Sequence, residues 1–270
     1  MASELGALLL ELRGHGLLGA EELRQRRPTR ASTGFAALDA LLGGGLPQGR
    51  VIELAGNATS AATAIAIRLL ARWTTEGWPC ALVDRPFTFD PRSASEAGVE
   101  LSRLLWCRPN QLAHAARAAD VVLGSGAFPL VVLDLVPPPA PPGPRRREKL
   151  LAEGAWVRLA RRAEAARATL VVLTDGHGGP GAMAAATLQP VKQRARFMGQ
   201  GPGRTFEGLS ISVGLQRNKL GLPPGTAELE LGAPAHFPTR VEPPPALATV
   251  AAPGAQPVRA MSKRRRGRGR

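Results

Sequence analysis

Short apolar segments alternate with helical patterns through the first two thirds of the chain. The apolar segments read as strands: "RVIELA" (50–55), "CALVD" (80–84), "RLLWC" (103–107), "LVVLDL" (130–135) and "ATLVVLTDG" (168–176). The patterns between them predict helices over about 61–76, 93–98, 110–124 and a stretch ending near 168. Strands without a polar face are buried on both sides, which is typical of a parallel sheet covered by helices.

Later segments alternate apolar and polar residues instead. Strands are predicted over 191–197, 209–217 and 226–231, and Leu209, Ile211, Val213 and Leu215 form one apolar face. Such alternation favours antiparallel pairing with one face in water. The preceding "HGGPGAMAA" (177–185) has too much Gly and Pro for a regular element. The predicted fold class is therefore α/β, a mainly parallel twisted sheet flanked by helices, with antiparallel strands at its C-terminal edge.

The same pattern divides the chain into a core with two flanking segments. Residues 1–28 predict a leading helix that ends near Pro28, and residues 29–232 form the core. Residues 233–270 are a Pro-rich linker and a basic tail, without the apolar residues that a packed core requires. Inside the core, "PPPAPPGPRRR" (137–147) predicts a stiff exposed loop, because its prolines cannot donate ladder hydrogen bonds.

The composition agrees with this division and indicates where in the cell the protein is expected. The 270 residues, 44% hydrophobic, suit one α/β domain with a tail. We find no stretch of the roughly 18 apolar residues that a membrane span requires, and Glu4 and Glu11 lie where a signal peptide needs positive charge. The two cysteines, Cys80 and Cys107, fall in predicted buried strands and imply no disulfide framework. We expect a cytoplasmic protein without a membrane partner.

The formal net charge of +14 is unevenly distributed. The last twelve residues, "RAMSKRRRGRGR" (259–270), supply half of this excess and have no acidic residue. The basic side chains are Arg259, Lys263, Arg264, Arg265, Arg266, Arg268 and Arg270. The tail is either solvated without a partner or, as we favour, a salt-sensitive contact with nucleic acid that does not read sequence.

A phosphate-loop pattern occurs between the first predicted strand and the first core helix. The segment "GNATSAAT" (56–63) aligns with the pattern G-x-x-x-x-G-K-[ST]. Gly56 and Thr63 occupy the first and last places of that pattern. Ala61 replaces the second glycine and Ala62 replaces the lysine. The turn is either a phosphate loop that has lost its chemistry or an unrelated connection.

The sequence around this turn decides between the two. "STGFAALDALLGGGLPQGRVIELAG" (32–56) closely resembles the start of the ATPase core of RecA recombinases. The resemblance continues, in order, through "ALVDRPFTFDP" (81–91), "GVELSRLLWCRPN" (98–110), "LVVLDL" (130–135) and "GLSISVGLQRNKLGLPPGTAELEL" (208–231). It covers about 30–232 and implies a RecA-like core whose phosphate loop is degenerate.

The departures from the RecA pattern carry the functional prediction. In that family the loop lysine binds the β- and γ-phosphates, and a carboxylate after the next strand activates water; these places fall on Ala62 and Pro86 here. We therefore expect no ATP hydrolysis, no cofactor and no metal. Gly56, Thr63 and Asp134, which ends "LVVLD" as a Walker B acid does, are vestigial, although Asp134 also suits a strand-end cap and weak nucleotide binding is an open alternative.

The resemblance also identifies candidate interfaces. Arg217 and Lys219 in "QRNK" match side chains that reach the neighbouring subunit's nucleotide in RecA filaments; here they serve a protein contact or cap a hairpin. RecA's DNA-binding loops correspond to 136–147 and 176–187, which are replaced or shortened. The helix before 168 carries Arg158, Arg161 and Arg162 on one face, interpreted mainly as a solvated face.

Among RecA relatives, the chain most resembles the ImuA family, which acts in damage-tolerant (translesion) DNA synthesis and the SOS response. That resemblance implies a non-catalytic accessory protein at the nucleoid, with RecA, an ImuB-like polymerase-related protein and DNA as partners. The leading helix carries Leu5, Leu8, Leu9 and Leu12, which either dock a subunit or pack on the core. The alternatives are a SulA-like cell-division inhibitor that binds FtsZ, an ATP-dependent recombinase or mediator, and a paralogue that modulates RecA filaments.

Overall fold

The computed structural model of the chain describes residues 29–56, 61–136, 151–201 and 204–232. Outside the described residues lie the predicted leading helix (1–28), the proline-rich loop (137–147) and the linker and tail (233–270). The chain divides into two units, residues 1–236 and 237–270, and every described residue belongs to the first.

Helices and strands alternate as the sequence pattern predicts. The described helices are α1 (Ala36–Leu41), α2 (Ala62–Thr75), α3 (Pro91–Glu96), α4 (Leu112–Ser125) and α5 (Glu153–Ala166), with 3₁₀ turns at Leu101–Arg103 and Gly181–Met183. The strands are β1 (Arg30–Ala31), β2 (Leu46–Pro47), β3 (Val51–Ala55), β4 (Cys80–Asp84), β5 (Leu104–Cys107), β6 (Leu130–Asp134), β7 (Thr169–Thr174), β8 (Ala184–Met198), β9 (Thr205–Asn218) and β10 (Thr226–Gly232).

One eight-stranded sheet organises these elements, in the order β10-β9-β8-β3-β7-β6-β4-β5. The pairs from β8 through β3, β7, β6 and β4 to β5 are parallel, whereas β8, β9 and β10 pair with one another antiparallel. A small antiparallel pair, β1 and β2, stands apart from this sheet. The predicted fold class, a mainly parallel sheet with antiparallel strands at the C-terminal edge, is confirmed.

The core lies on both faces of the parallel strands. On one face, α2 packs Ile65 and Leu69 against alternate strand residues such as Val132. On the other face, α4 and α5 bury Ala119 and Leu159 against the intervening residues of the same strands. Successive side chains of a strand point to opposite faces, so continuous apolar runs are needed to fill both layers.

The "STG…LD" segment folds into a tied turn at the start of the core. The Asp39 carboxylate accepts hydrogen bonds from Ser32 Oγ and from the Thr33 backbone N–H, both at 2.7 Å. Gly45, with φ +110°, approaches Ala31 so closely that a Cβ would lie 2.3 Å from its carbonyl oxygen. Asp39 and Gly45 thus fix the chain direction before β2 for local steric and hydrogen-bonding reasons.

Two boundaries differ from the sequence prediction. Helix α3 begins at Pro91, earlier than predicted, because Asp90 caps it by accepting from Ser93 N. The segment 177–185 was expected to lack a regular element, but β8 begins at Ala184 and runs parallel to β3 as far as Leu188. Ala184–Ala186 is too small and uniform to show a strand pattern, and the partner strand supplies the hydrogen bonds that define it.

Two smaller expectations also change. Cys107 is only half-buried because β5 is the edge strand of the sheet, whereas Cys80 on β4 is fully buried as predicted. The arginine face of α5 is not merely solvated: Arg158 and Arg162 both lie within ion-pair distance of Asp120 on α4, at 3.5 and 3.2 Å. These exposed pairs contribute little to stability, but they align the two helices.

No helix in the described ranges is both long and apolar enough to cross a membrane.

The two-sided core makes a direct stability prediction. Leu133→Ala empties a fully buried site on β6 and should lower the free energy of unfolding by about 2–5 kcal/mol. Val121→Ala is the matched control, because Val121 is 65% exposed on α4 and should change stability by less than about 0.5 kcal/mol. Urea-unfolding midpoints compare the two, and equal losses would contradict this placement of the core.

Candidate functional site

Polar residues gather where the parallel strands end. Gly56 follows β3, Asp84 ends β4, Asp134 ends β6 and Thr174 ends β7. Because neighbouring parallel strands end at the same edge of the sheet, these residues lie together, and Asp84 and Asp134 are register partners. This edge is where open α/β sheets bind ligands.

Each vestigial residue named from the sequence has a defined place here. Gly56 N donates to the Thr174 carbonyl oxygen at 2.8 Å, which joins the ends of β3 and β7. Thr63 is the second residue of α2, and Asp134 lies with it on the wall of one shared cavity. The structure therefore brings Thr63 and Asp134 together; residues 57–60 of the loop lie outside the described residues.

The two alanines of the loop belong to the hydrophobic core. Ala62 is 1% exposed and Ala61 is 4% exposed, and both are part of the layer packed around α2. Ala61 takes the N-cap position without a side-chain hydrogen bond. Neither methyl group offers a charge or a donor to an anion, so the α2 N-terminus lacks the cation that a phosphate loop supplies.

The cavity beside them is small and apolar. Its volume is about 20 Å³, and its lining combines Thr63, Asp84, Thr88 and Asp134 with apolar side chains from α2 and the strands. That volume accommodates about one water molecule. This cavity is therefore no larger than a site for an ordered water molecule.

Asp84 is fully occupied by hydrogen bonds. Its carboxylate accepts from the backbone N–H groups of Thr88 at 3.1 Å and Phe89 at 3.2 Å, and from Trp106 Nε1 at 3.2 Å. It is 1% exposed. A buried carboxylate with three donors is a stable structural group, and it holds the loop after β4 in one conformation.

Asp134 has a very different environment. Burial raises the pKa of Asp134 to about 7, and the neighbouring Asp84 carboxylate also raises it. A hydrogen bond from Val136 N at 2.9 Å and the positive charge of Arg85 lower the pKa, but they do not offset the loss of hydration. Asp134 therefore gains or loses a proton near neutral pH, whereas a Walker B acid must carry a charge to hold a metal ion.

The loop after β4 presents an aromatic ring next to the position at which RecA relatives have a water-activating acid. Pro86, at the place of that acid, precedes Phe87, whose φ of +58° is unfavourable for a bulky side chain. Phe87 is 45% exposed. The Arg108 guanidinium lies 4.9 Å from the ring centroids of both Phe87 and Trp106. Pro86 itself therefore has no group that can accept a proton from water.

Sequence reasoning missed a buried acid at the centre of the site. Glu53, on β3, is 7% exposed and accepts hydrogen bonds from Thr174 Oγ1 at 2.9 Å and Thr187 Oγ1 at 3.0 Å. A Cβ on Gly179 would lie 1.9 Å from Glu53 Oε1, so a larger residue there would displace the Glu53 carboxylate. Glu53 thus ties the start of β8 to the parallel strands. The sequence feature that could have identified Glu53 is a single Glu among the apolar residues of "RVIELA".

Arg217 and Lys219 occupy the end of β9. Arg217 is exposed and pairs with Thr187 in the sheet. Lys219 donates through Nζ to the Ala182 carbonyl oxygen, and its backbone N–H donates to Ala185 O at 2.8 Å. Lys219 therefore contacts the segment that leads into β8, and a role for either residue toward another subunit stays a prediction.

The other predicted site residues cannot be placed. The tail residues Lys263, Arg264, Arg265, Arg266, Arg268 and Arg270 and the leading residues Leu5, Leu8, Leu9 and Leu12 all lie outside the described residues. Within the described ranges, no group of three or more His, Cys, Asp or Glu side chains is placed to hold a metal ion.

Sequence comparison shows which known proteins this chain resembles. Residues 16–143, just under half of the chain, match the model of the RecA N-terminal domain family. RecA of Cutibacterium acnes is 40% identical over 105 residues, which cover 38% of this chain and 30% of that protein. RecA of Rhodospirillum rubrum is 41% identical over 106 residues, 39% of this chain and 29% of that protein. The chain thus spans only about 30% of the length of these curated relatives.

Structural comparison extends the similarity beyond that segment. The crystal structure of the RadB recombinase superposes with a TM-score of 0.54 and covers 74% of this chain and 94% of that one. The sequences are 20% identical, so this likeness shows the fold. The protein has a RecA-like fold with alanine at the lysine position of its phosphate loop.

The buried Asp134 predicts an unusual pH dependence of stability. The folded protein keeps its proton up to about pH 7, whereas a freely hydrated aspartate releases it near 3.8. The folded state therefore binds the extra proton between these values, and the free energy of unfolding falls as the pH rises from about 4 to 7. Asp134→Asn removes the charge, so it should be more stable than the wild type at pH 8 by on the order of 2–4 kcal/mol and similar below pH 4.

Urea unfolding of both proteins at pH 4, 6 and 8 isolates this effect, because other titrating groups cancel in the difference. Asp175→Asn is the control, since Asp175 follows the neighbouring strand β7 and lies partly in water. It should keep the wild-type pH dependence. Parallel curves for the wild type and Asp134→Asn would show that Asp134 is not a buried, protonated acid.

Proposed function

We propose that this protein is a non-catalytic RecA-like accessory protein of the DNA damage response. The observation that carries the proposal is Ala62, which stands in the lysine place of the phosphate loop and is buried in the core. A RecA-like scaffold without that cation acts by contacting other macromolecules.

The surrounding chemistry supports the loss of hydrolysis. The loop lysine of a P-loop enzyme stabilises negative charge on the transferring phosphoryl group, and a second group positions the attacking water. Here Ala62 has no charge and Pro86 has no proton acceptor. Asp84 is engaged by three donors and Asp134 is held partly protonated.

The proposal predicts that the purified protein releases no phosphate from ATP. Steady-state phosphate release at millimolar ATP and Mg²⁺, with and without single-stranded DNA, should stay at the background of a buffer control. Ala61→Gly with Ala62→Lys restores the loop pattern and should raise ATP affinity measured by calorimetry, without turnover because Pro86 remains.

A contaminating ATPase is recognised by comparing variants. Any release that persists unchanged in Thr63→Ala with Asp134→Ala comes from another protein, because these residues stand in the two places of the RecA pattern that bind magnesium. Release that is abolished by this double change would mean that the chain hydrolyses ATP, and the accessory role would be wrong.

Within the DNA damage response, the role that we propose is in damage-tolerant DNA synthesis. The resemblance to the ImuA family supports RecA and an ImuB-like polymerase-related protein as partners. The described core is consistent with it, because the RecA-like opening segment, in which Asp39 ties Ser32 and Thr33, is present while Ala62 stands in the lysine place.

We also propose DNA as a partner. The tail at 259–270 supplies seven basic residues without an acidic one. Clustered Lys and Arg release counterions from a phosphate backbone, which gives strong binding at low salt and no sequence preference. Such a contact would keep the accessory protein near damaged DNA while its other surfaces bind protein partners.

Partner capture tests this assignment. Immobilised full-length protein should bind purified RecA or the polymerase-related protein from the same organism and should not bind FtsZ. Leu8→Glu with Leu12→Glu, in the leading segment, should weaken capture at least tenfold if that apolar stripe docks a partner. Val121→Glu is the control, because it alters an exposed apolar residue on α4. Capture of FtsZ alone would instead support a SulA-like inhibitor.

A further inference from the structure

The loop after β4 and the end of the edge strand β5 form a small aromatic patch. Phe87 and Phe89 belong to the loop, Trp106 belongs to β5, and Arg108 follows that strand. The Phe89 and Trp106 rings are 5.1 Å apart in an edge-to-face arrangement. The Arg108 guanidinium lies 4.9 Å from the ring centres of both Phe87 and Trp106. We call these four side chains the Arg108 patch.

Hydrogen bonds to Asp84 hold the patch in one arrangement. The Asp84 carboxylate accepts from the backbone N–H groups of Thr88 and Phe89 and from Trp106 Nε1. The loop and the edge strand are therefore tied to the same buried group. An arginine that stacks on rings fixed in this way is already oriented, so it loses little conformational entropy when a partner binds.

Phe87 has a backbone conformation that its side chain does not favour. Its φ is +58°, in the left-handed region that glycine adopts readily and bulky residues adopt rarely. Burial compensates this strain only in part, because the residue is 45% exposed. Strained and exposed residues of this kind cluster at sites that bind a ligand or a partner. The strain therefore favours a role for the Phe87 ring in a contact with another molecule.

Arg108 has no acidic partner among the described residues. The segment 84–108 contains four acidic and four basic residues, so its formal charges cancel. Arg103 in this segment, for example, pairs with Glu100 at 2.9 Å. Arg108 is exposed, and within the described ranges its interactions are those with the two rings. The N–H groups of its guanidinium are therefore available to a carboxylate, which can accept two parallel hydrogen bonds from them.

We propose that the Arg108 patch is a docking site for an acidic segment of a protein partner. A carboxylate of that segment binds Arg108, and a neighbouring apolar side chain packs on the Phe87 ring. The observations favour a peptide over a nucleic acid, because a phosphate backbone is bound by clustered cations and the segment 84–108 has no surplus of them. The proposal deepens the accessory role, on which it rests, by naming a surface that contacts a protein.

Peptide selection tests the chemistry of the partner. A random library of short peptides displayed on phage is selected on immobilised full-length protein and depleted on Arg108→Ala. The variant keeps the basic tail at 259–270, so the depletion removes peptides that bind only the tail. The remaining peptides should share an Asp or Glu beside a large apolar residue. A consensus without an acidic residue would overturn the proposal.

A labelled peptide from that selection measures the arginine contact by fluorescence anisotropy. Arg108→Ala should weaken binding about tenfold or more, because the carboxylate loses its partner. Arg108→Lys should weaken it almost as much, since lysine keeps the charge but lacks the planar fork that stacks on rings and binds both carboxylate oxygens. Arg103→Ala is the matched control: it removes an exposed arginine that is already paired with Glu100, and it should change the affinity by less than about twofold.

Phe87→Gly separates a binding role from a structural one. Glycine adopts a φ of +58° without strain, so the urea-unfolding midpoint should stay the same or rise. The peptide affinity should nevertheless fall about tenfold, because the ring is lost. A lower midpoint with unchanged affinity would show that Phe87 serves stability, and the docking site would be wrong. Thermal unfolding confirms that the Arg108 variants fold.

Further outcomes identify other occupants and separate this site from the proposed function. If Arg108→Ala weakens binding of labelled single-stranded DNA but not of peptide, the patch is a nucleic-acid contact and the proposal is wrong. If it changes the sedimentation of the protein alone, the patch is an interface between copies instead. Normal capture of RecA and the polymerase-related protein by Arg108→Ala would overturn this site, while the accessory role would stand. If the wild type captures neither, the accessory role is wrong, whereas the peptide measurements still decide the site.

Discussion

Burial of the parallel strands on both faces is the constraint on which the rest of the structure depends. β3, β7, β6 and β4 carry almost continuous apolar residues, and these can leave water only if helices cover both sides. Helix α2 covers one side and α4 with α5 the other, through side chains that alternate in direction along each strand. This packing brings the strand ends to one edge, so it places Asp84, Asp134 and Glu53 whether or not they bind anything.

That edge shows how buried polar groups are satisfied within the fold. Ala61 and Ala62 join the core beside α2, and the remaining cavity has room for about one water. Asp84 satisfies its carboxylate with backbone donors of the following loop, and Glu53 does so with two threonine hydroxyls. Asp134 has one backbone donor and therefore keeps its proton up to near neutrality. Each acid therefore has a hydrogen-bond partner within the protein, as buried polar groups require.

The proposed macromolecular contacts do not require the chemistry of that edge. The basic tail at 259–270 supplies seven cations, and phosphate contacts need only cations at a surface. They do not require the charge-balanced geometry of a catalytic site. A RecA-like scaffold can thus lose hydrolysis and keep macromolecular binding, which fits the accessory role proposed above.

The sequence by itself determined β3 to β7, the helices α2 to α5 between them, the fold class and the missing lysine, because apolar periodicity and local motifs are properties of neighbouring residues. It did not predict α1 or the pair β1 and β2. "LVVLD" and "CALVD" could only be strands of a covered sheet, and Ala62 and Pro86 are visible without coordinates. Only the tertiary structure decided the start of β8 at Ala184, the bonding of Glu53 by Thr174 and Thr187, and the raised pKa of Asp134. Those features arise between residues far apart in the chain, where burial and hydrogen-bond geometry, rather than residue type, set the outcome.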